Sequence, residues 1–214
     1  MKQYDTYIFD LDGTLLNTLD DLASATNYAL AQHGMPQHST DDVRRFVGNG
    51  VRMLMVRAVP DGVHNPLYEC ALQTFREYYL RHSMDQTQPY DGIMEMLREL
   101  KRRGCRLAVV SNKFCKATEE LCHHFFRDTI EVAIGENEAA GIHKKPAPDT
   151  VMEALRQLGA DRDGAVYVGD SEVDIETARN SGLPCISVLW GFRDHDFLAS
   201  HGAVTFAHSP QDLL

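Results

Sequence analysis

Five short apolar runs, each ended by a breaker, most constrain how this 214-residue chain can fold. They lie at residues 7–9, 106–111, 130–134, 165–170 and 185–189. Apolar runs of this length read as strands buried on both faces. From residue 91 onward they alternate with stretches of helical spacing at 91–103, 116–126, 148–158 and 174–180. That alternation predicts βαβ units and a parallel sheet. The first run stands alone, about 90 residues ahead of the second, and must join the same sheet.

The intervening stretch has a different texture. Apolar residues recur at helical spacing over 20–33, with Leu22, Ala25, Ala29 and Leu30, ended by Gly34 and Pro36. Ser39 reads as the cap of a short helix through Val43 and Phe46, and two more helices are predicted over 51–59 and 66–81. No strand is predicted between residues 15 and 90. The expected architecture is α/β, a Rossmann-like doubly wound parallel sheet with an inserted α-helical cap. The core would take residues 1–14 and 86–214, the cap residues 15–85.

Composition narrows the function classes. At 43% hydrophobic residues the chain can bury a sizeable core. No segment approaches roughly 18 consecutive apolar residues, so no membrane span is expected. The start lacks an apolar leader and runs directly into the first strand, so a cytoplasmic location is expected. Five cysteines at scattered spacing suit reduced thiols better than a disulfide frame. Cys122-His123-His124 lacks a second cluster at metal-ligand spacing and does not suggest zinc. A net charge of −10 argues against a nucleic-acid partner, and it means an anionic substrate would need a local positive cluster.

The chemistry gathers at the predicted strand ends. The first run closes as Phe9-Asp10-Leu11-Asp12-Gly13-Thr14-Leu15. Packing gives no reason for two like charges there, so a cation, a proton relay or both are implied. Ser111-Asn112-Lys113 follows the second run and reads either as a helix cap or as a hydroxyl-and-amide phosphate cradle. Gly169-Asp170-Ser171 closes the fourth, with Asp174 one helical turn on. Two carboxylates so spaced suit magnesium, or an acid-capped helix start. Between them, His143-Lys144-Lys145-Pro146-Ala147-Pro148 forms a proline-stiffened loop that can hold Lys145 as a fixed positive charge or leave both lysines solvated. His143 reads as a surface residue.

Taken together, these parts resemble the haloacid dehalogenase superfamily of phosphohydrolases, in the family's motif order and over nearly the whole chain. The resemblance implies Asp10 as nucleophile and Asp12 as general acid and base. Ser111 and Lys145 would act on the phosphoryl oxygens, with Gly13, Thr14 and Asn112 beside them. It implies Mg2+ held by Asp10, the backbone carbonyl of Asp12, and Asp170, with Asp174 as a helper. Dehalogenases lack the acid at position 12, so phosphoryl transfer is favoured over carbon–halogen cleavage.

The loop Phe46-Val47-Gly48-Asn49-Gly50-Val51-Arg52 and the stretch Leu189-Trp190-Gly191-Phe192-Arg193 resemble phosphoglycolate phosphatases. Amides at Gly48, Asn49 and Gly50, with Arg52, would favour an anionic group on the substrate, or simply start a helix. The expected partner is a small phosphorylated metabolite, 2-phosphoglycolate first. A phosphosugar mutase of the same architecture stands as the alternative. So does a phospho-aspartate receiver module, although receivers are smaller and lack the helical insertion. Hinges for cap closure are expected near residues 14–18 and 82–90.

Overall fold

The structure is a computed structural model that describes residues 3–137 and 141–214. In chain order its first elements are β1 (Thr6–Phe9), β2 (Leu16–Asn17), α1 (Leu19–Gln32), α2 (Thr40–Phe46), α3 (Val51–Ala58), α4 (Tyr68–His82), β3 (Gln88–Pro89) and α5 (Ile93–Arg102). There follow β4 (Arg106–Phe114), α6 (Cys115–Phe126), β5 (Val132–Glu136), α7 (Asp149–Leu158), β6 (Ala165–Gly169), α8 (Glu172–Ser181), β7 (Cys185–Val188), α9 (His195–Ser200) and β8 (Phe206–Ala207). The chain divides into two compact units, Met1–Leu16 with Pro89–Leu214, and Asn17–Gln88.

The first unit is built on a six-stranded sheet of order β5-β4-β1-β6-β7-β8, with every neighbouring pair parallel. All four β1 residues are buried, as expected for a strand covered by helices on both faces. Ile8, Val110 and Tyr167 from three adjacent strands pack with Val151 and Leu155 of α7 and Ala178 of α8. After β1 the strands add on one side (β4, β5) and then cross back to the other (β6, β7, β8). Such a reversal opens a crevice at the carboxyl ends of the strands where order switches. Register makes those ends level: Phe9 pairs with Val109 on one side and Val168 on the other. Asp10, Ser111 and Asp170 therefore emerge at one edge.

The second unit is helical. Buried Leu22, Ala25, Ala29 and Leu30 of α1 face a core shared with Leu72, Phe75 and Tyr79 of α4. Its one buried carboxylate at the start of α1, Asp21, accepts from the N–H groups of Gln86 and Thr87 and from the Thr87 hydroxyl. Those bonds satisfy a charge that burial would otherwise penalise.

Several expectations need correction. Two strands do lie between residues 15 and 90, since β2 pairs with β3. Each is two residues long, too short for any periodicity to register. The second run does not stop at Ser111: a β-bulge between Val110 and Phe114 carries β4 three residues further. The polar Asn112 and Lys113 hide this extension in the sequence, yet both side chains are buried. The sheet also extends past the fifth run, because β8 pairs with β7.

Candidate active site

Asp10 follows β1 directly, and its N–H donates to Val168 O at 2.9 Å, tying it to β6. Its carboxylate faces the Lys145 ammonium, with Nζ 2.7 Å from Oδ1. Burial, followed by the charges of Asp174 and Asp170, pushes the Asp10 carboxyl well up from its ordinary range, with Lys145 opposing.

Lys145 is 3% exposed and stands at the centre of the cluster. Its Nζ also lies 2.8 Å from Asp174 Oδ1 and donates to the Tyr167 hydroxyl at 3.0 Å. Burial works against its charge, but Asp10 and Asp174 outweigh it, so the lysine is held firmly protonated. The loop carrying it is anchored by Asn112, whose side-chain amide donates to Lys145 O at 3.0 Å. The Lys145–Pro146 peptide bond is cis.

Asp174 is fully buried and already takes four donors. Lys145 Nζ and Tyr167 OH donate to Oδ1, while the Ser171 N–H and hydroxyl donate to Oδ2 at 3.1 and 2.6 Å. The Ser171 N–H bond is one half of a capping box at the start of α8, whose other half runs from the Asp174 N–H to the Ser171 side chain. Of the two readings of the sequence, the acid-capped helix start describes Asp174, which in addition holds Lys145.

Asp170 is positioned from two sides. It accepts from the Thr14 hydroxyl at 3.1 Å and from the Phe192 N–H at 2.7 Å. Burial first, then Asp174, raises its carboxyl to about 7. Glycines make room for it. A Cβ on Gly13, whose φ is +89°, would lie 2.4 Å from Asp170 Oδ2, and one on Gly191 would lie 2.3 Å from Asp170 Cβ. The Trp190 indole N–H donates to Thr14 O at 2.9 Å and seats the same loop against the turn after β1.

The family model for haloacid dehalogenase-like hydrolases matches residues 7–188. The chain belongs to that family. A phosphoglycolate phosphatase of Caulobacter vibrioides is 35% identical, over 97% of this chain and 88% of the relative. An N-acetylmuramic acid 6-phosphate phosphatase of Pseudomonas aeruginosa is 30% identical, over 97% and 92%. The crystal structure of a Lactobacillus delbrueckii subsp. bulgaricus protein, provisionally assigned as a phosphoglycolate phosphatase, superimposes with a TM-score of 0.94 at 38% identity. It covers 99% of this chain and 97% of its own. This hydrolase is a phosphatase acting on phosphoric monoesters, and it resembles the phosphoglycolate phosphatases.

Oxygen atoms of Asp10, Asp170 and Asp174 all lie within 4.8 Å of one another. With three carboxyl groups facing the Lys145 ammonium, ionising Asp10 and Asp170 together would leave the hydrolase an excess of buried negative charge. Hard oxygen donors with such an excess fit a hard divalent cation. Asp174 has both oxygens engaged, so Asp10 and Asp170 are the better-placed side-chain ligands. The Asp12 carboxylate lies outside this group. It pairs instead with the ammonium of Lys113, Nζ to Oδ1 at 2.9 Å.

Ser111 is 2% exposed at the β4 end, and its hydroxyl accepts from the Lys113 N–H at 3.2 Å. It caps no helix, since α6 begins at Cys115. In the helical unit, Gly48 and Gly50 hold positive φ angles of 127° and 83°, and Gly50 precedes α3. Asn49 accepts from Arg57, while Arg52 is paired with Glu69 at 2.8 Å. His143 is an exposed residue bonded to Asp149.

Sequence reasoning gave no role to Lys113, Tyr167 or the Gly191-Phe192 amide. Lys113 was visible as a charged residue two places past Ser111. Tyr167 and Phe192 act through atoms that only the folded loop and strand bring to the acids.

Proposed function

We propose that this phosphatase is a magnesium-dependent enzyme that hydrolyses a small phosphorylated organic acid, 2-phosphoglycolate first, through an aspartyl-phosphate on Asp10. The observation that carries this reading is Lys145, whose ammonium touches Asp10 Oδ1 at 2.7 Å and Asp174 Oδ1 at 2.8 Å beside Asp170. A nucleophilic carboxylate is thereby oriented, and the cationic charge that a phosphate dianion needs is fixed in a buried acidic site.

Magnesium, held by carboxylate oxygens of Asp10 and Asp170 and the backbone carbonyl of Asp12, would supply further positive charge for the phosphoryl oxygens. Asp10 attacks phosphorus, forming an acyl phosphate as the ester P–O bond breaks. The departing oxygen keeps the electron pair and takes a proton from Asp12. Asp12, now a carboxylate, removes a proton from water, whose oxygen attacks phosphorus and releases Asp10 and inorganic phosphate. Lys145 and the Ser111 hydroxyl bind the phosphoryl oxygens throughout. Thr14, Phe192 N–H, Gly13 and Gly191 keep Asp170 in place, and Asn112 keeps Lys145 in place. We assign selection of the substrate's far end to the Gly48, Asn49, Gly50 and Arg52 loop.

A panel of small phosphate esters assayed with magnesium tests the reading. We expect phosphate release on small phospho acids, lost on chelation and in Asp10→Ala. Activity in Asp10→Ala equal to wild type would overturn it. Accumulation of an isomeric phosphate in place of inorganic phosphate would favour a mutase.

A further inference from the structure

Lys113 is a buried cation to which the mechanism above gives no task. It is 3% exposed, and among the described residues it is the one cation within ion-pair distance of Asp12. The fold supports this placement at several points. The bulge in β4 carries the strand past Ser111, and the Lys113 N–H is fixed on the Ser111 hydroxyl. Lys113 O accepts from Thr118 Oγ1 of α6 at 3.5 Å. On β5, Gly135 lies so close that a Cβ would sit 2.8 Å from Lys113 O and 2.5 Å from Cys115 Cα. Backbone packed this tightly fixes the point from which the buried side chain reaches Asp12. Near Asp12 on α6, the Cys122 thiol, pushed up to about 12 by burial and then by Asp12, stays neutral and offers the carboxylate no competing charge.

We propose that Lys113 is a positioning residue for Asp12: its ammonium holds Oδ1 and thereby aims the other carboxyl oxygen, Oδ2, for both proton transfers. In the first transfer Oδ2 gives its proton to the departing alcohol oxygen as the P–O bond breaks. In the second it takes one from the water that cleaves the acyl phosphate. A buried ion pair at one oxygen restricts how the carboxyl group can turn, and proton transfer depends steeply on such alignment. The inference rests on the reading of Asp12 as acid and base.

The test separates steps that need a proton from the one that does not. Phosphoryl transfer to Asp10 from acetyl phosphate expels acetate, a leaving group that needs no proton. Transfer from 2-phosphoglycolate, or the best alkyl ester of the panel, does need one, and so does hydrolysis of the phosphoenzyme. Single-turnover measurements on Lys113→Met should show the two proton-dependent steps slowed about a hundredfold. Phosphorylation by acetyl phosphate should stay within about threefold of wild type, which also reports an intact site. Lys113→Arg, which keeps a charge against Asp12, should recover the proton-dependent steps to within about tenfold. Lys113→Gln carries the same prediction as Met if the Met variant does not fold.

Equal slowing with both donors would mean a structural role and overturn the proposal, as would no slowing with either. Asp12→Asn is the control for the underlying reading. If it shows the donor-dependent pattern and Lys113→Met does not, the positioning role falls. If Asp12→Asn itself shows no such pattern, the acid–base reading of Asp12 falls first.

Discussion

At the scale of single residues, the site is organised as much by absent side chains as by charged ones. Asp170 fits because Gly13 and Gly191 have no Cβ to occupy its space, and Gly169 does the same for Asp174, where a Cβ would lie 2.4 Å from Asp174 Cβ. Gly13 carries the further demand of a φ of +89°, which an L side chain adopts only under strain. Gly13→Ala should therefore displace the Asp170 carboxylate while leaving its chemistry intact. We expect magnesium affinity to fall by about tenfold to a hundredfold, the usual cost of disturbing a ligand's support. A magnesium titration of activity measures it, and an unchanged midpoint would contradict this account of the glycine. Asp10, Asp12 and Asp170 were legible in the sequence because charged residues at the ends of apolar runs have no packing reason to be there, whereas Ser111, Lys145 and Asp174 each had a plain structural reading and stood out through the order of the motifs. Tyr167 was not, because its ring reads as ordinary strand core and its hydroxyl meets Lys145 and Asp174 only across the folded sheet.

At the scale of elements, the sheet edge was foreseen and its fine structure was not. Buried runs and helical spacing located β1, β4, β5, β6 and β7 and the helices between them. The polar Asn112 and Lys113 disguised the end of β4, although burying them in the strand is what brings Asn112 to the Lys145 loop and Lys113 to Asp12. β2, β3 and β8 are two residues each and leave no pattern to read. The close approach of β5 to the β4–α6 turn depends on Gly135. Its contacts are backbone atoms, which cannot rotate aside. Gly135→Ala should destabilise the protein by about 2–3 kcal/mol through overpacking, read from a denaturant midpoint. It should also slow the reaction through Lys113 and Ser111. A stable, fully active variant would show that this contact is slack.

At the scale of the whole molecule, a net charge of −10 and a buried acid cluster set how stability answers to pH and cations. Asp170 is raised to about 7 and Asp10 is raised too, so the folded protein holds protons that the unfolded chain has already lost. The metal-free protein should thus lose stability as pH rises above about 4, with the contribution of Asp170 lost by about pH 7. Asp42, Glu99 and Glu153, lowered to about 2 by hydrogen bonds from Ser39, Arg102 and Arg156, act oppositely: their contribution is lost as pH falls below about 4. Above about pH 5 the site's own trend is therefore isolated. Magnesium favours the ionised acids, so melting curves with magnesium against chelator should diverge as pH rises through 7 and converge near pH 5. Divergence that grows on acidification would contradict the assignment of Asp10 and Asp170 as ligands. The most direct measurement is on the covalent chemistry itself: acid-quenched protein, mixed with substrate and magnesium, digested and mapped for a phosphoryl group. The account predicts phosphate on Asp10, brief in the wild type and accumulating in Asp12→Asn. Complete hydrolysis of substrate by a protein whose Asp10 never carries phosphate would contradict it.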